Sequence, residues 1–224
     1  MTPTLKHRLA RMRDIAMKAA LAAVLLAIAT VAAQPADIVL PPPQTEGGKP
    51  LMQALKERRT TRSFAEQALP PQVLSNLLWA AWGINRPDGH RTAPSARNWQ
   101  EIDVYVALAD GLYVYDARAH GLQRVVARDV RAQIGAQPHS REAPLTLVFV
   151  ADEQKMGGAD EESRRTYAAA DAAFIAQNVY LFCASEGLAS VVFAMIDRER
   201  FTQAAGLKPH QRIALAQSVG HPKR

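Results

Sequence analysis

The stretch AAADAAFIAQNVYLFCA, Ala168 to Ala184, lies inside a longer run from Asp160 to Glu186 that Gly187 closes. Neither proline nor glycine interrupts that run, so it reads as one long helix ending at a glycine cap. From Ala168 to Ala184 it is apolar on nearly every face, and a helix of that kind has to be covered on all sides. In a chain of 224 residues a second copy of the subunit is a natural cover. Leu145 to Ala151, an apolar run broken only by Thr146, marks a central strand.

Working outward, Leu51 to Arg58 reads as a short helix with Met52 and Leu55 on one face. Pro70-Pro71 opens a second helix, whose Val73, Leu74, Leu77, Leu78 and Ala81 recur at helical spacing until Gly83 ends it. Residues 84–101 form a polar loop. Ile102 to Ala109 is a strand, Asp110-Gly111 a hairpin turn, and Leu112 to Tyr115 the returning strand. A short helix is expected over Ala127 to Ile134, a strand over Ser190 to Ile196, a helix over Arg198 to Ala205 and a last strand over Ile213 to Val219. Helices and strands mix without a regular alternation, so the fold class is α+β. His120 reads as a surface residue, Asp171 as a cap or polar contact, and Cys183, the only cysteine, as a small buried side chain.

The ends have a different character. Residues 1–33 carry Lys6, Arg8, Arg11, Arg13 and Lys18 against Asp14, and so hold +4 of the net charge of +6. A 15-residue apolar run from Ala19 to Ala33 follows, broken only by Thr30 and ending in Val31-Ala32-Ala33. That is the outline of a secretory signal peptide cut before Gln34, with an uncleaved anchor as the alternative. The expected location is periplasmic or secreted, with no membrane span after cleavage. Once the leader is set aside the remaining charge is only +2, which removes most of the support for a nucleic-acid partner. Residues 34–50, with Pro41-Pro42-Pro43 and Gly47-Gly48, read as a linker, and 51–224 as the folded domain.

The chain has no G-x-G-x-x-G, Walker loop or G-x-S-x-G, and its six histidines show no metal-ligand spacing, so no metal site is expected. Two clusters remain. Glu57-Arg58-Arg59-Thr60-Thr61-Arg62-Ser63-Phe64 combines guanidinium forks, which match phosphate oxygens, with hydroxyls that suit a polyol; on its own it could equally be a solvated basic patch. Arg91-Thr92-Ala93-Pro94-Ser95-Ala96-Arg97-Asn98-Trp99-Gln100 precedes a strand. Together the two resemble the R-R-S-x-R and P-S-x-x-N-x-Q motifs of the nitroreductase family of FMN enzymes. Leu77 to Asn85, Asp171 with Gln177-Asn178, and Glu186 to Ser190 resemble the branch that contains the azoline (thiazoline and oxazoline) dehydrogenases, and Ser218 to Pro222 resembles the family's final G-x-P.

The resemblance spans about residues 51–222 and implies a central mixed or antiparallel sheet flanked by helices, in a homodimer with two FMN molecules at the subunit interface. By position, Arg58 and Arg59 would hold the FMN phosphate, Thr60 the ribityl chain, and Arg62 would lie near flavin N1 and the C2 carbonyl. Pro94, Ser95 and Asn98 would come to the ring from the partner subunit, and Val192, Phe193 and Ala194 would pass near N5. Lys223 and Arg224 stand where many members continue with a further phosphate contact. The implied activity is two-electron hydride transfer at flavin N5 to or from a small organic substrate. NAD(P)H, the family's usual donor, is scarce outside the cytoplasm. The alternative is an exported FMN-binding protein without turnover.

Overall fold

The structure, a computed structural model, describes residues 37–223. The leader expected over 1–33 and the terminal Arg224 lie outside these residues. Seven strands, β1 (Ile38–Val39), β2 (Ile102–Leu108), β3 (Gly111–Asp116), β4 (Gly121–Val126), β5 (Leu145–Asp152), β6 (Ala189–Phe193) and β7 (Gln211–Gly220), form one sheet in the order β1-β4-β3-β2-β5-β7-β6. Every neighbouring pair is antiparallel. Among the described residues five helices accompany them: α1 (Leu51–Glu57), α2 (Pro71–Trp82), α3 (Pro138–Glu142), α4 (Glu161–Glu186) and α5 (Arg198–Ala205). This is the expected α+β architecture, with the sheet antiparallel throughout.

β5 explains the layering. Its Leu145, Leu147, Phe149 and Ala151 enter one core with Leu77, Leu78, Ile175 and Val179 of α2 and α4. Its Val148 and Val150 enter a second core with Ile134 and with Phe201 and Ala204 of α5. Side chains alternate across a strand, so a central strand with helices on both faces is apolar nearly throughout; the buried exception, Thr146, has its hydroxyl bonded to Ser140 O and Ser218 Oγ. α4 starts where Asp160 accepts the Ser163 N–H at 2.7 Å and stops at Gly187, whose φ of +70° suits glycine.

Three expectations need correction. The linker expected over 34–50 belongs to the domain from Asp37 onward: Ile38 and Val39 pair with β4, Leu40 is buried, and Pro41 O accepts the Ser75 hydroxyl at 2.6 Å. The helix expected over Ala127 to Ile134 is a single 3-10 turn at Arg131–Gln133, preceded by the unforeseen β4. Asp129 accepts the Arg131 N–H at 2.9 Å, a local side-chain bond that competes with helix continuation. His120 is not a surface residue: its ring bridges Ser75 Oγ (2.7 Å) and Tyr115 OH (3.0 Å). One face of α4, with Ala173, Phe174 and Gln177, is exposed in the single chain, Phe174 to 48%; this is the face for which a second copy is the expected cover.

Candidate functional site

From the end of α1 the chain runs along β6 and the end of β7. Arg58 N bonds Ala54 O, Thr61 N bonds Ser190 O at 2.9 Å, and Ala65 N bonds His221 O at 2.9 Å. This path sets Arg58, Arg59, Thr60 and Arg62 beside the edge strand β6. Tyr180 of α4 ties the pieces together: its hydroxyl accepts the Val192 N–H at 2.9 Å and shares a hydrogen bond with Thr60 Oγ1 at 3.1 Å, while the Arg58 guanidinium lies 5.3 Å over its ring. Glu57 is drawn away from the arginines by Lys49 (2.7 Å) and Gln53 (2.9 Å), whose hydrogen bonds hold its carboxyl below the usual range. Among the described residues none of Arg58, Arg59 and Arg62 forms an ion pair. Arg59, Thr61, Tyr180, Leu188 and Pro222 line a cleft of about 360 Å³.

Arg62 reaches toward His139 of α3. Burial, then the Arg62 charge, keeps that imidazole below its ordinary pKa. The His139 ring meets Phe193 edge-on at 4.9 Å, and its Nδ1 has no partner among the described residues. Val192 and Phe193 are half-buried at the end of β6, and Ala194 is exposed.

The second cluster takes another shape. Arg97, Asn98 and Gln100 have φ of +51°, +54° and +49°, values that non-glycine residues reach only when their surroundings impose them. The surroundings are visible. Ser95 Oγ accepts the Gln100 N–H at 2.9 Å and donates to Glu101 Oε2 at 3.2 Å; Asp171 Oδ2 accepts the Ala96 N–H at 2.9 Å. Arg91 donates to Gln100 Oε1 at 2.8 Å and to Trp82 O at 3.0 Å. Ser95 is thus turned inward, while Pro94 and Asn98 are exposed. Burial, and then the neighbouring Asp171, push the Glu101 carboxyl up to about 7.

One chain brings together Arg58, Arg59, Thr60, Arg62, Val192, Phe193 and Ala194. It does not bring Pro94, Ser95 and Asn98 to them. The first group rests on Tyr180 and the second on Asp171, nine positions apart on α4. At ~1.5 Å and ~100° per residue these lie about 13 Å apart on opposite flanks of the helix. Lys223 lines neither place; it borders a separate cleft of about 1250 Å³ with Phe64, Leu69, Leu108 and Arg141.

Sequence reasoning missed Tyr180, His139 and Glu101. A lone tyrosine in an otherwise apolar run, and an acidic residue opening an apolar strand, are faint signals for two of them. Trp79 and Trp82 prove to be scaffold: Trp79 Nε1 bonds Ile84 O at 3.2 Å, and Trp82 lies 5.1 Å under Arg91.

Comparison with known proteins agrees with this geometry. The model of the nitroreductase family matches residues 55–221. A protein of Methanocaldococcus jannaschii assigned as a nitroreductase is 29% identical over 160 residues, 66% of this chain and 81% of its own. A crystal structure from Ralstonia eutropha, likewise assigned, is 42% identical and superposes with a TM-score of 0.82 over 87% of this chain and 93% of that one. One from Desulfovibrio desulfuricans, solved in complex with FMN, shares the fold at 21% identity and a TM-score of 0.56, over 80% of this chain and 89% of that one. With a family match that runs from α1 to the end of β7, the chain belongs to the nitroreductase family of oxidoreductases.

Proposed function

We propose that the protein is an FMN-dependent oxidoreductase that works as a homodimer on a small organic substrate. The observation that carries this reading is the division of the site. Three guanidiniums that form no ion pair among the described residues stand on one flank of α4, and a strained, partly exposed loop stands on the other. A dianionic phosphate suits the first, because guanidinium forks bind phosphate bidentately. The second can complete the site only from another copy, and α4 offers a surface for it: Ala173, Phe174 and Gln177 are exposed. C2 symmetry is the commonest way to cover such a face.

In this arrangement Arg58 and Arg59 hold the phosphate and Thr60, fixed by Tyr180, meets the polyol. Arg62 sets a positive charge beside the pyrimidine edge of the ring. Phe193 and His139 stand on the same side as Arg62, away from the phosphate. Bound FMN would supply the two-electron chemistry at its N5. Leu77 to Asn85, which carries the resemblance to azoline dehydrogenases, shapes the Arg91–Gln100 loop through Trp79 and Trp82 and so bears on that loop more directly than on the substrate. The leader in residues 1–33 supports export, where NAD(P)H is scarce and another reductant would serve.

The test is direct. The purified protein should be yellow, bind one FMN per chain, scatter light as a dimer, and show flavin reduction and reoxidation in stopped flow. A protein that stays colourless in excess FMN would refute the cofactor. A yellow protein whose flavin no donor reduces would be a flavin-binding protein without turnover.

A further inference from the structure

Glu101 closes the Pro94–Gln100 loop at the start of β2 and is fully buried, and Asp171 on α4 is 1% exposed. Their carboxyls meet beneath the loop. Each also holds it: Glu101 Oε2 accepts the Ser95 hydroxyl, and Asp171 Oδ2 accepts the Ala96 N–H. Glu101 Oε1 has no partner among the described donors. Two buried carboxylates side by side repel unless a cation or a proton lies between them. Among the described residues neither forms an ion pair. Of the cations on the flanking elements, Arg91 is engaged with Gln100 and Trp82 O, Arg97 lies over the Trp99 ring at 5.4 Å, and Lys155 pairs with Asp103 at 2.7 Å; Arg164, seven positions before Asp171 on α4, has a buried Nε without a partner among the described residues and pairs with neither carboxyl. From β5, Asp152 meets Glu101 through its backbone N–H alone.

We propose that Glu101 and Asp171 share one proton and act as a positioning pair, holding the Pro94–Gln100 loop in its strained shape so that loss of the proton to solvent loosens the loop and weakens flavin retention. The flavin part of this rests on the function proposed above. A shared proton turns the repulsion into a short charge-assisted O–H···O bond and fills the vacant role of Glu101 Oε1. Without it, a second negative charge sits in a buried place, and the cheapest relief is to admit water by opening the loop. Arg97, Asn98 and Gln100 at positive φ make that loop ready to relax. The raised pKa of Glu101, near neutrality, puts the change within reach of ordinary conditions.

The test compares wild type, Glu101→Gln and Asp171→Asn from about pH 5.5 to about pH 8.5, a range that brackets neutrality. In the apoprotein, Trp99 emission, isolated by subtracting a Trp99→Phe control, reports the loop; with FMN added, the dissociation constant reports retention. Wild type should show an emission change near neutral pH and a dissociation constant that rises above it by up to about tenfold per pH unit, the limit for one linked proton. Glu101→Gln keeps an acceptor for Ser95 and cannot ionise, so both changes should vanish; comparison with it also cancels the titration of the FMN phosphate itself. Asp171→Asn removes the like charge and should move both changes to lower pH. Superimposable wild-type and Glu101→Gln profiles would overturn the pair. If no variant binds FMN at any pH, the function proposed above fails, and the Trp99 profiles still decide whether the proton holds the loop.

Discussion

The two flanks of α4 are built on opposite terms. On the Tyr180 flank stand three arginines that form no ion pair among the described residues, Arg58 over the Tyr180 ring, Arg59 in the same cleft and Arg62 toward His139, on a chain segment anchored by ordinary strand-like hydrogen bonds. At Asp171 the neighbours are a buried acid and a backbone bent into positive φ at three residues. One flank is exposed charge on relaxed backbone; the other is buried polar contact under strained backbone. Charge left exposed is charge kept for an anion, and it acts at a distance with little demand on geometry. Strain held by buried bonds gives shape, which matters only when something is pressed against it. A ligand gripped by the first flank and shaped by the second therefore needs two copies of the chain.

That division is most severely tested on the open face of α4. Ala173 is exposed in the single chain, so Ala173→Asp should fold normally. If the face is an interface, an unpaired charge buried there costs on the order of 3–5 kcal/mol, which weakens the dimer by roughly 10²- to 5 × 10³-fold. Light scattering should then report a monomer, and that monomer should fail to retain FMN. A monomer that keeps its flavin would mean that one flank suffices.

Arg58→Ala probes the charged flank alone. A hydrogen bond to a charged group is worth roughly 1.5–3 kcal/mol, or about a 10- to 150-fold weaker FMN dissociation constant. The flavin that remains bound should keep its reduction potential, because the phosphate lies far from the ring. A small part of any stability change will come from losing the stack on Tyr180.

How much of this was legible in the sequence follows from the range of the interactions. Pro70-Pro71, Asp110-Gly111, Gly187 and the apolar run of β5 act on their own neighbours, and the elements they announce are present. β1 is two residues beside a proline run, and its strand character exists only because β4 lies next to it. β4 carries Arg124 on the inward side with Leu122 and Val126, and Val125 on the exposed side, so its alternation is broken and it could not be read before its partners were known. Seven of the ten candidate site residues converge because 58–62 and 192–194 are neighbours through β6. The Glu101–Asp171 contact joins residues 70 positions apart, and no local pattern announces it. His120 looked solvated because its partners, Ser75 and Tyr115, belong to other elements.

A smaller effect separates bonding from charge on the Tyr180 flank. Tyr180→Phe keeps the ring under Arg58 and removes only the hydroxyl that serves Val192 N and Thr60 Oγ1. An unmade bond at a buried donor costs about 1–3 kcal/mol, which urea unfolding would register as a lower midpoint with an unchanged slope. FMN affinity should fall less than in Arg58→Ala. A larger loss of affinity than of stability would show that order around Thr60, rather than the arginines, dominates this flank.

The smallest effect is expected at Arg62, and it differs in kind. Arg62 is exposed in the single chain and faces His139 rather than the Arg59 cleft, so it stands at the far end of the arginine segment. Two-electron reduction makes the flavin an anion with its charge at the pyrimidine edge, and a fixed cation there favours the reduced form over the oxidised one. For an exposed cation the lower end of the charged hydrogen-bond range applies, about 1.5 kcal/mol. In a two-electron couple that is about 30 mV. Arg62→Ala should therefore lower the potential by about 30 mV, measured by equilibration against a reference dye, and leave the affinity for oxidised FMN nearly unchanged. Arg62→Lys should restore most of the shift, because it returns the charge without the fork. If Arg62→Ala instead weakens oxidised FMN as strongly as Arg58→Ala while the potential stays put, Arg62 is a phosphate ligand. The segment would then run along the cofactor in the opposite sense, and the charged flank would present its arginines to one end of the ligand rather than both.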